Sequence, residues 1–315
     1  MKTQRSNHLP LAAFIISVLF IGLNAIGVRF TVLELSPFWS ATLRFAPAAL
    51  ILFLLAFILK LPFPKGRGLI GPMIYGALNF GGGYAFIYFG LGKVQPGMAQ
   101  VILALVPLFT LVFAILHHQE SFRWRAILGT LLAAGGIALV FGEQLQANVP
   151  VLSLLALVFG AIFISESSVV AKGFPTSHPI TTNAIGMSTG SVILFVLSLL
   201  RHEPMILPVR VKTWISLAYL IIFGSCIAFI LFLYVLKNWT ASGLSYQFVF
   251  LPFVTLSASA LLSGEQLNSI LIAGAVFVLL GVYVGVLYKP KKKAEKTMTI
   301  PSPNEEGREL CSDCP

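Results

Sequence analysis

Two ionisable side chains stand deep inside long apolar runs: Arg44, in a stretch that begins near Phe38, and Glu166, in one that begins near Pro150. A charge at membrane depth is costly to hold, so each is a functional candidate on physical grounds. At 1.5 Å per helical residue, Arg44 lies about 10 Å and Glu166 about 24 Å below the same boundary. A difference of roughly 14 Å is too large for an ion pair between upright helices, so each needs partners of its own. For Arg44 these are helix-end carbonyls or the outer acid Glu34, or else a substrate group. For Glu166 two readings stand side by side. An apolar setting suits the carboxyl to proton coupling; alternatively a partly hydrated carboxylate among Ser165, Ser167 and Ser168 simply pairs with Lys172.

Polar and helix-interrupting residues fall at similar depth. Pro107 and Pro252 lie inside apolar runs, where each removes a backbone hydrogen bond and bends the helix, either to shape a cavity or as a passive kink. Around them Gln100, Thr110, Tyr246, Gln247 and Thr255 are expected to face a lumen. Asn79 is followed by Gly81, Gly82 and Gly83 and then by Tyr84 and Tyr88. The three glycines fit close helix packing or a moving gate, and Gly186-x-x-x-Gly190 and Gly281-x-x-x-Gly285 fit packing. Tyr84, Tyr88, Trp39, Trp124, Trp214 and Trp239 include expected interface anchors near span ends.

Enzyme signatures are absent: no HExxH, no GxSxG, no glycine-rich phosphate loop. No cofactor is expected. His117 and His118 read as solvated residues at an inner helix end, without the acid cluster a metal would need. Cys226 sits in an apolar run, and Cys311 and Cys314 form one CxxC in the tail, too few ligands for a structural zinc.

The elements that must hold these residues follow from composition. The 315 residues are 57% hydrophobic and only 10% charged, with a mean hydropathy of +0.91, against roughly 25% charged in a soluble domain. The chain therefore belongs in a bilayer. Ten apolar runs of about 20 residues predict spans near 9–30, 38–59, 69–91, 97–116, 124–142, 150–171, 180–200, 213–236, 243–263 and 268–288. The first run has no cleavage site after it and reads as an uncleaved helix. The net charge of +10 comes from cations between runs, which fits topology and not nucleic acid. With the N-terminus inside, thirteen basic residues face the cytoplasm against five outside, so N-in and C-in are expected. Residues 291–315, beyond Lys289, read as a disordered cytoplasmic tail.

Sliding the chain against itself by 145 residues places Pro107 on Pro252, Thr110 on Thr255, Glu120 on Glu265, Gly129 on Gly274 and Gly136 on Gly281. Five helices per copy is an odd number, so the second copy enters the membrane from the opposite side. Inverted repeats of this kind are a recurring construction of secondary transporters. Glu120 and Glu265, just before two helices, offset the positive ends of helix dipoles.

These residues resemble the EamA-type half of the drug/metabolite transporter superfamily. Asn24, Arg29, Pro37 and Arg44 match the start of its pattern, and Gly90, Lys93, Pro107, Glu120, Gly129 and Gly136 its most recognisable block. Lys237, Pro252, Glu265, Gly274 and Gly281 repeat that block. The resemblance spans about residues 10–288, with helices 6 and 7 matching least. It implies an all-α integral membrane protein of two five-helix EamA-like repeats, 1–145 and 146–290, multi-pass in the bacterial inner membrane. It also implies a secondary carrier exporting amino acids or related small metabolites by alternating access, as a monomer or homodimer whose partners are its small-molecule substrate and the lipid bilayer. The substrate cavity or coupling residues expected are Glu166, Arg44, Asn24, Asn79, Tyr84, Tyr88, Gln100, Pro107, Tyr246, Gln247 and Pro252. A carrier of sugars or amphipathic drugs is the first alternative, and an accessory membrane subunit or intramembrane enzyme the second.

Overall fold

The computed structural model describes residues 8–121, 149–174, 178–263 and 269–282, with scattered positions between 124 and 139. The predicted span 124–142 is therefore described only in part, and Glu265, Gly285 and the Cys311–Cys314 tail lie outside the described residues.

The described chain is helical, without strands. Helix α1 is His8–Val32 and α2 is Pro37–Ile58; α3 runs through Ile70–Gly76, a π-helical stretch Ala77–Gly83 and Tyr84–Leu91. Helix α4 is Pro96–Leu103 followed, after a two-residue break, by Val106–Leu116. Helices α5 and α6 are Val151–Gly173 and Pro179–Leu200; α7 joins Val211–Ile221, a π stretch Ile222–Ile227 and Ala228–Asn238. Helix α8 is Ala241–Ser245 plus Gln247–Ser263, and α9 is Ser269–Val282. Among the described residues seven helices are long and apolar enough to cross a membrane.

Local chemistry sets the ends. Proline opens α2, α4, α6 and the second segment of α4, where its missing N–H costs nothing. Lys60, His118 and His202 adopt positive φ just after α2, α4 and α6. There the N–H of the following residue closes back on Ala56, Ala114 and Ser198, the bond that satisfies last-turn carbonyls. The His178 ring caps α6 through Nδ1, which accepts from the Ile180 N–H. Burial and the Lys237 charge lower the His178 pKa, which keeps that lone pair available.

The packing pairs helices across the chain. Helix α3 lies on α5 and α6, while α7 lies on α1 and α2; α2 meets α6, and α4 meets α8. Without a hydrophobic force between helices in lipid, close contact of small residues supplies the attraction. Gly76 and Gly186 touch so closely that a Cβ on Gly76 would lie 2.2 Å from the Gly186 carbonyl oxygen. Gly81, Gly82 and Gly83 face Ile193, Phe163 and Ile164 respectively, each with less than 3.0 Å for a Cβ. The glycine triplet is thus a packing surface for two neighbouring helices.

Candidate functional site

The π stretches determine where the polar groups meet. A π turn inserts a residue and turns a carbonyl away from the helix ladder. In α7 that carbonyl belongs to Gly224, and it accepts from both Asn24 Nδ2 on α1 (3.2 Å) and Arg44 Nη2 on α2 (2.9 Å). Ser225 Oγ, one residue on, accepts from Arg44 Nε at 2.8 Å. Only glycine fits at 224, since a Cβ would fall 2.2 Å from Asn24 Oδ1.

Arg44 is 0% exposed, and its guanidinium lies 4.8 Å from the centre of the Phe45 ring and 5.1 Å from that of Tyr84. Its Nη1 has no hydrogen-bond partner, and neither have Asn24 Oδ1, Tyr88 Oη and Gln100 Oε1, all buried. The Tyr84 hydroxyl lies beside both the guanidinium and the Asn24 amide, and the Tyr88 hydroxyl beside the guanidinium, close to but short of well-formed hydrogen bonds. Among the described residues no carboxylate lies within ion-pair distance of Arg44; the close contact of a basic side chain with a carboxylate is His117 with Glu166.

Glu34, an expected partner, is engaged at the outer surface. It accepts from the N–H groups of Val209 and Arg210 and from the Thr213 hydroxyl, which hold its pKa below the ordinary carboxylate value, with Thr213 the largest cause. It lies in the turn above α2, a distance Arg44 does not span. The carbonyl expectation holds, but the carbonyl comes from a mid-helix π turn instead of a helix end.

A small cavity adjoins the Arg44 cluster, lined by Asn24 and Val28 of α1, Tyr84 of α3, Gln100 of α4, Ile164 of α5 and Phe248 of α8 among others. Its volume is about 30 Å³, room for about one water. Sites for small molecules run to roughly 300 Å³ and more, so the helices are contracted around it.

The structure distributes the remaining predicted residues unevenly. Asn79, the 145-residue counterpart of Gly224, donates to the Tyr75 hydroxyl at 3.1 Å. Its neighbour Phe80 packs on Phe45 and Phe229, with centroid spacings of 5.0 and 4.9 Å. Tyr84 and Tyr88 are buried, 7% and 0% exposed; they belong to the interior and are not interface anchors. Gln247 accepts from Ser17 Oγ at 3.3 Å and leaves Nε2 unpartnered, and Thr255 donates to the Gly22 carbonyl, so both tie α8 to α1 outside the cavity lining. Thr110, buried, donates to the Val106 carbonyl of its own helix at 2.7 Å and does not line this cavity. Pro107 stands in the first turn after the α4 break, whereas Pro252 lies within Gln247–Ser263, and α8 breaks at Tyr246 instead.

At the other end, Glu166 Oε1 accepts from His117 Nε2 at 2.8 Å, linking α5 to α4. Lys172 is not its partner: the ammonium donates to the Leu236 carbonyl at 2.7 Å, capping α7, and so faces away from Glu166. His117, 42% exposed at the end of α4, is a solvated helix-end residue as expected and also the partner of Glu166. Gly224 and Ser225, and the pairing of His117 with Glu166, escaped the sequence reading. The depth argument carried a signal for His117, since it ends α4 where Glu166 nears the same boundary.

Both halves of the chain match the EamA-like transporter family, over residues 8–142 and 151–287. A relative from Archaeoglobus fulgidus, named an uncharacterized transporter, is 28% identical over 86% of this chain and 96% of its own length. The uncharacterized inner membrane transporter YedA of Escherichia coli is 27% identical over 88% and 92%. A Salmonella typhimurium protein named "Probable amino-acid metabolite efflux pump" is 24% identical over 84% and 90%. A solved structure superposes with a TM-score of 0.68 at 18% identity, covering 90% of this chain and 98% of that one, which establishes likeness of fold. With buried polar groups gathered between multiple membrane-spanning helices and the family pattern present twice, the chain belongs to the EamA-like transporter family and is a multi-pass membrane transporter.

Proposed function

We propose that the protein is a secondary carrier of the bacterial inner membrane, exporting amino acids or related small metabolites by alternating access between two inverted five-helix repeats. The observation that carries this reading is a set of unpartnered buried polar atoms: those of Asn24 and Gln100 line a cavity between helices of both halves, and that of Arg44 lies beside it, Arg44 sharing the Gly224 carbonyl with Asn24. Buried polar groups normally find partners, and those left open are candidates for a ligand.

Three further observations support it. The π stretch at Ala77 and that at Ile222 begin 145 residues apart, the register of the duplication. The helix pairing is reciprocal: the third helix of the first half lies on the second half, and α7 lies on the first, as a two-fold axis in the membrane plane requires. The Salmonella relative's name points to amino-acid metabolites and to efflux. In this reading the chain has ten spans with both ends cytoplasmic, the 30 Å³ cavity is an occluded state, and the His117–Glu166 pair couples movement to protons.

The test is counterflow in liposomes with labelled amino acids, sugars and cationic drugs, with and without a pH gradient. Saturable exchange of amino acids supports the proposal. Exchange of sugars or drugs alone redirects the substrate, and exchange of nothing by folded protein refutes the carrier.

A further inference from the structure

We infer that Arg44 is the anchor for a free carboxylate, and that the substrate is a zwitterion whose ammonium group lies on Asn24 Oδ1 and Gln100 Oε1. The inference rests on the carrier reading and names the chemistry its site selects.

Arg44 is fully buried, and a buried cation without a counter-ion is among the most unfavourable arrangements in a protein interior. Its Nε and Nη2 are held by Ser225 Oγ and the Gly224 carbonyl, both neutral acceptors, while Nη1 is open. The chain has eleven acidic residues, and among the described ones none pairs with the guanidinium. Glu34 and Glu203 accept from backbone N–H groups at the outer end, Glu166 is bound to His117, and Glu120 stands beyond the end of α4. Among the described residues Arg44 thus has no counter-ion, the charge a ligand would supply. Tyr88 Oη, also without a partner, offers a neutral donor beside it, a common companion to a carboxylate.

Asn24 donates through Nδ2 to Gly224, which fixes the amide and leaves Oδ1 without a hydrogen bond, beside the Tyr84 hydroxyl. Gln100 Oε1 is likewise open, and both residues line the one small cavity. Two open amide oxygens call for a donor, and an ammonium group supplies three. The rest of the lining, including Val28, Ile164 and Phe248, is apolar, suited to an aliphatic or aromatic side chain. A sugar, which carries no charge, would leave Arg44 uncompensated, and a cationic drug would be repelled by it.

The experiment is counterflow and thermal-shift binding with three matched probes: L-leucine, L-leucinamide, which lacks the carboxylate, and 4-methylpentanoate, which lacks the ammonium. For the wild type, exchange and stabilisation should be greatest with leucine, with the amide weaker by about 10- to 100-fold, the range expected for losing a hydrogen bond to a charged group. Arg44→Lys should raise the leucine KM by a similar factor and the leucinamide KM by clearly less, and Gln100→Leu should impair leucine more than 4-methylpentanoate. Equal handling of leucine and leucinamide by the wild type overturns the anchor without reference to any variant that fails to fold. Exchange of sugars or drugs with none of the three probes also overturns it while leaving the carrier standing. Exchange of no compound removes the carrier reading, and the anchor then falls too unless leucine, but not leucinamide, raises the melting temperature.

Discussion

Replacing Gly76 by alanine tests the packing that holds the bundle together. The added Cβ would lie 2.2 Å from the Gly186 carbonyl oxygen and 2.4 Å from its Cα. Both are backbone atoms, so no rotamer change relieves the contact, and α3 and α6 must part by about 1 Å, within a class of overpacking that costs about 1–3 kcal/mol. A gap of that size forfeits a quarter to a half of each van der Waals well it opens. The neighbouring contacts of Phe80 with Gly190 and Gly81 with Ile193 lie on the same seam, so the total loss is about 3 kcal/mol. The reverse substitution is the control. A Cβ on Gly186 meets Tyr75 Cδ1 at 3.2 Å, which a small ring movement relieves, and the backbone Gly76 Cα at 3.3 Å, where only a few tenths of an ångström must be found, so the cost should stay under about 1 kcal/mol. Reversible unfolding by SDS in mixed micelles reads both values. Equal losses, or a larger loss for Gly186→Ala, would refute the packing argument.

Other perturbations separate the remaining claims. Glu166→Gln should abolish any proton dependence of transport, and an unchanged pH profile removes the His117–Glu166 pair from coupling. Single cysteines at 100 and 247 should differ in a membrane-impermeant labelling scan: position 100, on the cavity, should label in one conformation, and position 247, buried against Ser17, in none. For Glu34, whose pKa is lowered from 4.5, the stabilisation is complete above that value and is lost as pH falls through the lowered folded value. Melting curves of wild type and Glu34→Gln should therefore differ at neutral pH and converge in acid. Lys60→Gly, at φ 50, should stabilise by about 0.5–1 kcal/mol in the same unfolding assay, because glycine carries less strain in the left-handed region.

The spans were legible because an apolar run of about 20 residues has little alternative in a bilayer; α2, predicted at 38–59, is Pro37–Ile58, and α6, predicted at 180–200, is Pro179–Leu200. The isolation of Arg44 from Glu166 was legible too, from helical rise alone. The partners were not. Ser225 is 181 residues from Arg44, and a π turn has no composition that marks it in advance. Helix depth places a residue along the membrane normal but leaves its rotation about the helix axis open. For that reason Thr110 and Gln247, at plausible depth, turn to other partners, and Lys172, one and a half turns from Glu166, caps another helix.

The reciprocal seating of α3 and α7 also bears on how the chain is made. Helix α3 ends at Leu91, yet the surfaces that receive Gly76 and Gly82 belong to α6 and α5, the former finished only at Leu200. Roughly 110 residues (91 to 200) must still emerge from the ribosome, about 5–20 s at ordinary elongation rates, before that seam can close. Throughout this interval the glycine face of α3 is left to lipid or to a membrane chaperone, and the first half is an unfinished assembly. The two halves are thus obliged to fold as one unit, and a nascent chain halted between them offers an insertion factor a groove that the mature protein no longer has.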